Sequence, residues 1–417
     1  MSASELQVWL YGDQVATVAP HPDRVDRITW RWTAAALQRW GSQSRIVSNI
    51  LPITATSRRD TDVRATTFIQ GLLPEGEARV HYAVAAGVEP DDIYGFLTHY
   101  GQDTAGGLSF VANRPTLSTS KDRSLTDGDI AARLKQVTSR AAGATLQSTS
   151  LAGMVPKIGL NRIGAEWLAP GPGNLSTWIL KVGHPEGSPA ADVIDTEALC
   201  LDLARALGLT TVEAQVHRFE DMRAIAVSRY DRVVHDGIVT GLHQEDLAQA
   251  IGLSTLDPAR KFQRGARMPS WSHAASVLKT SGSGVAPLAK LVAFSYLVGN
   301  TDHHAKNTSF LRPPTGSVRL APAYDIAAHL HHEGSHLSAL DLAGERSFDR
   351  LTTSHVTDEI SSWGVPASDA AALVANVAQS LGRALADIDR AHHPGVPLAA
   401  WDMLMERSGS ALSSLTN

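Results

Sequence analysis

The spacing of apolar residues changes near residue 240, and this change constrains the fold more than any other feature of the sequence. Before it, several segments have apolar side chains at every second residue, as in LQVWLYGDQVATV (6–18), where a Gly-Asp turn pair predicts a β-hairpin. Helical patterns also occur there, over 75–86, 91–100 and 196–207. After it, the apolar spacing is helical over 271–280, 287–298 and 367–392. A strand-rich part followed by a helix-rich part predicts an α+β fold with two lobes.

The length of the chain allows more than one domain. Its 417 residues are enough for two or three domains at about 150 residues each. The polar segment NRPTLSTSKDRSLTDGD (113–129) is the best boundary because it has no apolar periodicity. We therefore predict a small N-terminal α/β subdomain over 1–113, a strand-rich lobe over 114–235 and a helical lobe over 236–417.

The composition excludes several classes of protein. A hydrophobic content of 43% excludes a disordered chain, and a net charge of -5 argues against a protein that mainly coats nucleic acid. No apolar run reaches the 18 or so residues of a spanning helix, and the N-terminus lacks a signal-peptide pattern. The single cysteine, Cys200, cannot form an intramolecular disulfide. We expect a cytoplasmic protein that does not bind membranes.

The segment GNTDHHAKN (299–307) carries the most specific chemical signal. Four residues separate Asp302 from Asn307, as in the catalytic loop of protein kinases, where the Asp positions the attacking hydroxyl and the Asn binds Mg²⁺. Asp325 follows at the end of an apolar strand and suits a second Mg²⁺ ligand. The pattern predicts Asp302 as the catalytic residue. The competing interpretation is that Asp302 and Asn307 only cap a turn.

Two further residues stand in the order that kinases use. Lys181 lies near the end of the apolar strand STWILKV (176–182), and Glu197 begins an amphipathic helix sixteen residues later. In kinases, a strand lysine and a helix glutamate together hold the ATP phosphates. Neither G-x-x-x-x-G-K-[ST] nor G-x-G-x-x-G occurs, which argues against P-loop ATPases and Rossmann dehydrogenases. The expected phosphate loop is SLAGMVPK (150–157).

Two histidine motifs offer other metal chemistry. HEGSH (332–336) matches the H-E-x-x-H of zinc proteases, which needs a helix to place both histidines on one face. Its Gly and Ser are poor helix formers, and no third-ligand extension follows. DHH (302–304) matches a motif of metal phosphoesterases, but the upstream aspartate clusters of those enzymes are missing. Both interpretations remain open as weaker alternatives.

Nine segments in order resemble the HipA-type serine/threonine kinases, which are toxins of bacterial toxin–antitoxin pairs. The segments are LQVWLYGDQVATV (6–18), GLLPEG (71–76), DIYGFLTHYGQDTAGGLSF (92–110), SLAGMVPKIGL (150–160), WILKV (178–182), RYDR (229–232), LHQEDLAQAIG (242–252), GNTDHHAKN (299–307) and LAPAYDIA (320–327). The resemblance covers nearly the whole chain. It implies a bilobal protein-kinase-like fold with the N-terminal subdomain in front of it.

The resemblance also implies an activity and roles for particular residues. The implied activity is Mg²⁺-dependent transfer of the ATP γ-phosphoryl group to a serine of a protein, which in the best-known members is an aminoacyl-tRNA synthetase. It implies that Ser150 is autophosphorylated and that this silences the enzyme. The residues assigned to ATP binding are Ser150, Ala152, Gly153, Lys181, Glu197, Arg229 and Tyr230. Asp302 is the implied catalytic residue, and Asn307 and Asp325 are the implied Mg²⁺ ligands.

The implied partner is a small helix-turn-helix antitoxin of the HipB type, which binds operator DNA. Contact with DNA through the antitoxin suits an acidic chain better than direct binding to DNA does. The basic residues Arg260, Lys261, Arg264 and Arg267 could touch DNA phosphates in that complex. The alternative is that they form a solvated face.

Two other functions remain open. A small-molecule phosphotransferase of the aminoglycoside or choline kinase kind also has Asp-x₄-Asn, but places a His two residues before the Asp, where this chain has Asn300. A catalytically silent co-repressor that only binds the antitoxin is the non-enzymatic alternative. The intact lysine and metal positions argue against it.

Overall fold

The computed structural model describes residues 5–56, 59–114, 120–138, 155–264, 268–334 and 336–416. The strands within these residues are β1 (Leu6–Leu10), β2 (Asp13–His21), β3 (Arg24–Trp32), β4 (Ser109–Val111), β5 (Arg123–Ser124), β6 (Lys157–Ile163), β7 (Glu166–Ala169), β8 (Trp178–Val182), β9 (Ala214–Phe219), β10 (Met222–Ser228), β11 (Arg232–His235), β12 (Ile238–Gly241), β13 (Gln244–Asp246), β14 (Ser309–Leu311), β15 (Arg319–Leu320), β16 (Leu337–Leu342) and β17 (Glu345–Ser347). The helices are α1 (Ala34–Trp40), α2 (Arg59–Gln70), α3 (Gly76–Ala86), α4 (Ile93–Tyr100), α5 (Asp127–Thr138), α6 (Val193–Ala206), α7 (Leu247–Ala250), α8 (Trp271–Thr280), α9 (Ala286–Leu297), α10 (Thr353–Ser362), α11 (Ala367–Asp387) and α12 (Leu398–Thr416).

The first sheet has the strand order β3-β2-β1-β4 and begins with the predicted hairpin. Leu6 pairs with Val18 in antiparallel register, and Gly12 takes a φ of +86° in the turn between the strands. That φ is open to glycine at little cost. Helices α2 and α4 pack against β3. Fully buried Trp30, Phe68 and Phe96 fill the core.

The second sheet has the order β5-β7-β6-β8-β10-β9, and α5 packs against β6 and β10. The predicted strand around Lys181 is β8, which pairs antiparallel with both β6 and β10. Leu160, Leu180 and Ala226 contribute buried side chains to its core. A strand with neighbours on both sides is held rigidly, so the lysine that it carries has a defined position.

The second half of the chain is mainly helical, as predicted. Helix α8 has the predicted bounds, and α9 differs from them by one residue at each end. Every residue from 291 to 300 is buried, so the segment that follows α9 begins inside the core. Helix α11 ends at Asp387 rather than at 392, because Ile388 is already extended. No helix in the described part of the chain is long and apolar enough to cross a lipid bilayer.

The chain divides into two compact units, and both are discontinuous in sequence. The first unit comprises Met1–Val182, Arg218–Arg260 and Phe310–Ser317. The second comprises Gly183–His217, Lys261–Ser309 and Val318–Asn417. The first unit holds the first sheet and most of the second, and the second unit holds the long helices. The mixture of sheets and helices confirms the predicted α+β class.

Candidate active site

The segment after α9 forms a tight loop in the second unit. Gly299 has a φ of +69°, and a Cβ there would come within 2.7 Å of the Leu330 side chain, so only glycine fits. The amide oxygen of Asn300 accepts a hydrogen bond from the Asp302 backbone at 3.0 Å. The side-chain amide of Asn307 donates to the Asp302 carbonyl, also at 3.0 Å. Because the Asn307 nitrogen is held in this way, its amide oxygen is the atom left to bind a metal.

The carboxylate of Asp302 lies in an electrostatic environment that resists its ionisation. The side chain is accessible to solvent, yet the surrounding protein desolvates it enough to raise its pKa. The negative charge of Asp325 raises the pKa further, against the opposing charge of Lys261, and the result is about 6. Two of the predicted active-site carboxylates therefore interact, although 22 residues lie between them.

The backbone of Asp325 has an uncommon conformation. Its φ is +55°, a value in the left-handed region where aspartate is one of the few non-glycine residues that occur repeatedly. Such conformations cost free energy and concentrate at functional sites. The sequence shows no glycine here that would have signalled the turn.

These residues fit a divalent cation with a preference for oxygen. Asp302, Asp325 and Asn307 offer carboxylate and amide oxygens, which are the donors that Mg²⁺ takes. A cation beside them would remove the repulsion that raises the pKa of Asp302. In addition, the buried amide nitrogen of Asn300 has no hydrogen-bond acceptor, so a donor is left for a phosphate oxygen.

The two histidines of the DHH motif have structural roles. His303 is hydrogen-bonded through both ring nitrogens, to Ser295 at 2.8 Å and Thr308 at 3.0 Å, and its ring packs edge-on against Trp271. His304 packs edge-on against Phe262. Burial lowers the pKa of His303 to about 4 and that of His304 to about 3. The structure thus gives no support to the metal-phosphoesterase interpretation.

The zinc-protease interpretation fails for a geometric reason. Residues 331–334 form turns and bends, and 336 is in extended loop, so the described part of the H-E-x-x-H motif is not helical. Without a helix, the two histidines lack the shared face that the motif requires.

The structure reveals one charged residue whose role the sequence did not show. Lys261 belongs to a 3₁₀ turn, Pro258–Lys261, and is only 6% exposed. Its positive charge lowers the pKa values of Asp302 and His304. A solvated basic face is therefore the wrong interpretation for Lys261, whereas Arg260 and Arg264 are exposed. Arg267 lies outside the described residues.

The first unit places a second lysine directly opposite Lys181. In the antiparallel register of β6 and β8, Lys157 is the partner of Lys181, and both side chains are half-buried. Lys157 also ends the segment predicted as the phosphate loop, so the register places that loop's last residue next to Lys181.

The side chain of Arg229 uses all its hydrogen-bond donors within a buried ion-pair cluster in the same unit. Its five N–H donors bond to Asp231, Asp103, Ser176 and the Thr104 carbonyl at 2.8–3.1 Å. Its side chain is 2% exposed. Because a guanidinium has five donors in all, none is left for ATP. The predicted place of Arg229 in the ATP site therefore stays a prediction, without a contact from its guanidinium.

Arg232 completes this cluster, which we name the buried charge cluster: Asp103, Ser176, Arg229, Asp231 and Arg232. The Arg232 guanidinium bonds to Asp103 at 2.6 Å and to the Gly106 and Thr104 carbonyls, both at 2.8 Å. Burial alone would raise the pKa of Asp231, but the two guanidinium charges outweigh it and lower that pKa to about 2. The cluster joins a loop of the predicted N-terminal subdomain to the predicted strand-rich lobe.

The remaining predicted residues stay predictions. Tyr230 donates a hydrogen bond to the side chain of Gln244 and is half-buried. Glu197 is 5% exposed on α6, in the second unit, whereas Lys181 is in the first. Ser150, Ala152 and Gly153 lie outside the described residues.

Comparisons with known proteins assign the chain to a family. Residues 6–111 match the HipA N-terminal domain, and residues 149–385 match the HipA-like C-terminal domain. The chain is 30% identical over 299 residues to Y4mE of Sinorhizobium fredii, which is named as a kinase, covering 67% of this chain and 68% of that one. It is 22% identical over 368 residues to the serine/threonine-protein kinase toxin HipA of Shewanella oneidensis, covering 84% and 82%.

A solved structure has the same fold. HipA of Shewanella oneidensis MR-1, determined with HipB and its operator DNA, superposes with a TM-score of 0.81 at 20% sequence identity, over 99% of this chain and 98% of that one. This confirms the predicted protein-kinase-like fold. The fold agrees with the matched domains, which together span most of the sequence. The chain therefore belongs to the HipA-type family of serine/threonine kinases.

Proposed function

We propose that this chain transfers the γ-phosphoryl group of Mg²⁺-bound ATP to serine or threonine hydroxyls of proteins and acts as the toxin of a toxin–antitoxin pair. The observation that carries the proposal is the interaction between the carboxylates of Asp302 and Asp325 beside the oriented amide of Asn307. This combination of donors is the one that kinases use at the reacting phosphate.

In the proposed mechanism Asp302 orients the substrate hydroxyl and accepts its proton. The hydroxyl oxygen forms a bond to the γ-phosphorus while the bond from that phosphorus to the bridging oxygen of ADP breaks, and ADP leaves. A pKa raised to about 6 makes this carboxylate a better base than a solvated one, while leaving it mostly ionised at pH 7. Asn307 and Asp325 would hold Mg²⁺. When bound, the ion stabilises the charge on the transferring phosphoryl group. Lys261 contributes a further positive charge near Asp302.

The phosphates of ATP would contact the paired lysines of the first unit. Lys181 and Lys157 are register partners on adjacent strands, and Lys157 ends the segment predicted as the phosphate loop. We assign Lys181 the phosphate contact that the family resemblance implies and add Lys157 to it. Glu197 and Tyr230 keep their proposed roles in ATP binding. Arg229 keeps its proposed place in the ATP site but makes no guanidinium contact there, because all the donors of that group are used.

We predict that Asp325→Ala removes the Mg²⁺-dependent part of ATP binding. Calorimetry with a non-hydrolysable ATP analogue, with and without Mg²⁺, measures it. Wild-type chain should bind the analogue more tightly when Mg²⁺ is present, and the variant should not. Asp349→Ala, which removes an exposed carboxylate, is the matched control and should behave like the wild type. An unchanged Mg²⁺ effect in Asp325→Ala would exclude the proposed ligand.

The partner and target are proposed from relatives. The similar Shewanella chain was determined with HipB and operator DNA, so we propose a small HipB-type antitoxin as the partner of this chain, with DNA contacted only through that complex. The proposed target is a translation component such as an aminoacyl-tRNA synthetase, and the proposed compartment is the cytoplasm. We also retain 1–113, 114–235 and 236–417 as the proposed domains.

We predict that the chain phosphorylates its own Ser150 and thereby weakens ATP binding. A phosphate on Ser150 adds about -1.5 to -2 charges next to the proposed phosphate loop, and these would repel ATP. Incubation with Mg²⁺-ATP followed by mass spectrometry should find phosphate on Ser150 in the wild type but not in Asp302→Ala. Stoichiometric phosphorylation without a fall in ATP affinity would contradict the switch.

A further inference from the structure

Two histidines and a carboxylate meet in the second unit, at residues that the proposed kinase mechanism does not use. The Nε2 atom of His331 lies 2.6 Å from one oxygen of Asp192, and the Nε2 atom of His332 lies 2.9 Å from the other. The ligand atoms of the three side chains all lie within 4.8 Å of one another. We propose that Asp192, His331 and His332 form a binding site for a divalent transition metal, of which Zn²⁺ is the representative.

The donor set identifies the class of metal. Two imidazole nitrogens and one carboxylate oxygen suit Zn²⁺ and its transition-metal neighbours, whereas Mg²⁺ prefers oxygen ligands throughout. In a tetrahedral zinc site, ligand atoms are about 3.3 Å apart, so side-chain shifts of at most about 1.5 Å would bring all three to the metal. A fourth ligand can come from solvent, because the His332 and Asp192 side chains are 22% and 18% exposed.

The protonation states also suit a metal. Burial lowers the pKa of His331, which favours the neutral ring that a metal ligand requires. Burial opposes ionisation of Asp192, but the hydrogen bonds from the two histidines outweigh it and lower the pKa of that carboxyl. Coordination would replace the two Nε2–H hydrogen bonds to Asp192, and the Nε2 protons would move to Nδ1 or to solvent.

Helix capping does not account for the position of Asp192. This residue is the N-cap of α6, where an aspartate side chain usually accepts a bond from the first turn. Here the side chain makes no capping hydrogen bond and is directed to the histidines instead.

A metal at this site would fasten the start of α6 to the segment that contains His331 and His332. Helix α6 carries Glu197, and that segment follows Asp325 by only six residues. The metal would therefore stabilise two parts of the second unit that the proposed kinase mechanism uses. The proposal itself does not depend on kinase activity, because none of the three ligands is assigned to catalysis.

Zinc titration of the full-length chain tests the proposal. The chain is first stripped with a chelator and then titrated with Zn²⁺ against a chromophoric competitor, in buffer with excess Mg²⁺ to occupy any oxygen-rich site. We expect one equivalent of Zn²⁺ in the wild type. Its affinity should fall by about 100-fold or more in His332→Ala and in Asp192→Asn. Zn²⁺ should also raise the unfolding temperature of the wild type but not of these variants.

Two control variants separate this site from others. His392→Ala removes a histidine whose side chain is 80% exposed, and Asp325→Asn alters the proposed Mg²⁺ site, so both should keep the wild-type zinc affinity. Substitution with Co²⁺ should give the visible absorption of a four-coordinate ion, and His332→Ala should abolish it. Circular dichroism verifies that each variant is folded. Absence of stoichiometric zinc binding, or binding that survives both ligand variants, would overturn the proposal.

Discussion

Replacing Asp302 with Asn should abolish most phosphoryl transfer while leaving ATP binding nearly intact. The amide has the same shape as the carboxylate but cannot accept a proton, and loss of a positioned base typically costs about 10²–10⁴-fold in rate. Phosphoproteomics of cells expressing the wild type and the variant measures the effect without knowledge of the target. We expect the phosphosites that appear with the wild type to be missing with Asp302→Asn.

The matched control is Asp358→Asn, which makes the same chemical change at an exposed position of α10. It should leave the phosphosites and the ATP affinity unchanged. If Asp302→Asn and Asp358→Asn give the same set of phosphosites, Asp302 is not the catalytic residue. If Asp302→Asn loses ATP binding as well, the residue acts in nucleotide binding rather than in the transfer step.

Replacing Arg229 with Met should destabilise the first unit by about 3–5 kcal/mol. The substitution preserves much of the side-chain volume but leaves Asp103 and Asp231 buried without the guanidinium that they share. Breaking a buried ion pair on one side typically has this cost because a charge remains desolvated and unpaired. Urea denaturation measures the change. Asp103→Asn is a milder second variant that tests the same cluster if Arg229→Met does not fold.

The pH dependence of this effect follows from the lowered pKa of Asp231. Its folded-state pKa of about 2 lies below the ordinary value of about 3.9, so ionised Asp231 stabilises the fold above about pH 4. That contribution is lost as the pH falls toward 2.

Arg205→Met is the control for Arg229→Met. Arg205 pairs with Asp202 while 49% exposed, and such exposed pairs contribute at most about 1 kcal/mol. Equal destabilisation by Arg229→Met and Arg205→Met would show that the cluster does not stabilise the protein.

The sequence predicted correctly those strands and helices whose turn residues and apolar spacing lie within a few residues of one another. The hairpin of β1 and β2, the strand β8 and the helices α8 and α9 are all confirmed, because turn residues and apolar spacing are local properties of the chain. The loop with Asp302 and Asn307 was predicted for the same reason. The order of the kinase motifs also predicted that Asp325 acts together with this loop. In the structure, the negative charge of Asp325 raises the pKa of Asp302.

Features that depend on distant partners were missed. The segment RYDR (229–232) is rich in charge, which normally indicates a solvated surface, and only the proximity of Asp103, 126 residues earlier, explains its burial. Likewise, Asp192 is separated from His331 by 139 residues, so no motif spacing could reveal their cluster. The pairing of Lys157 with Lys181 required the strand register, which sequence patterns do not specify.

The discontinuity of the two units affects the order in which the protein can fold during its synthesis. Asp103 leaves the ribosome 126 residues before Arg229, and at about 5–20 residues per second this delay is about 6–25 s. The first unit also needs Phe310–Ser317, so it cannot be completed until the first two segments of the second unit have been made. The nascent chain therefore exposes an unneutralised carboxylate and incomplete sheets for many seconds. A chaperone or partner that acts during translation would meet this intermediate rather than the finished kinase.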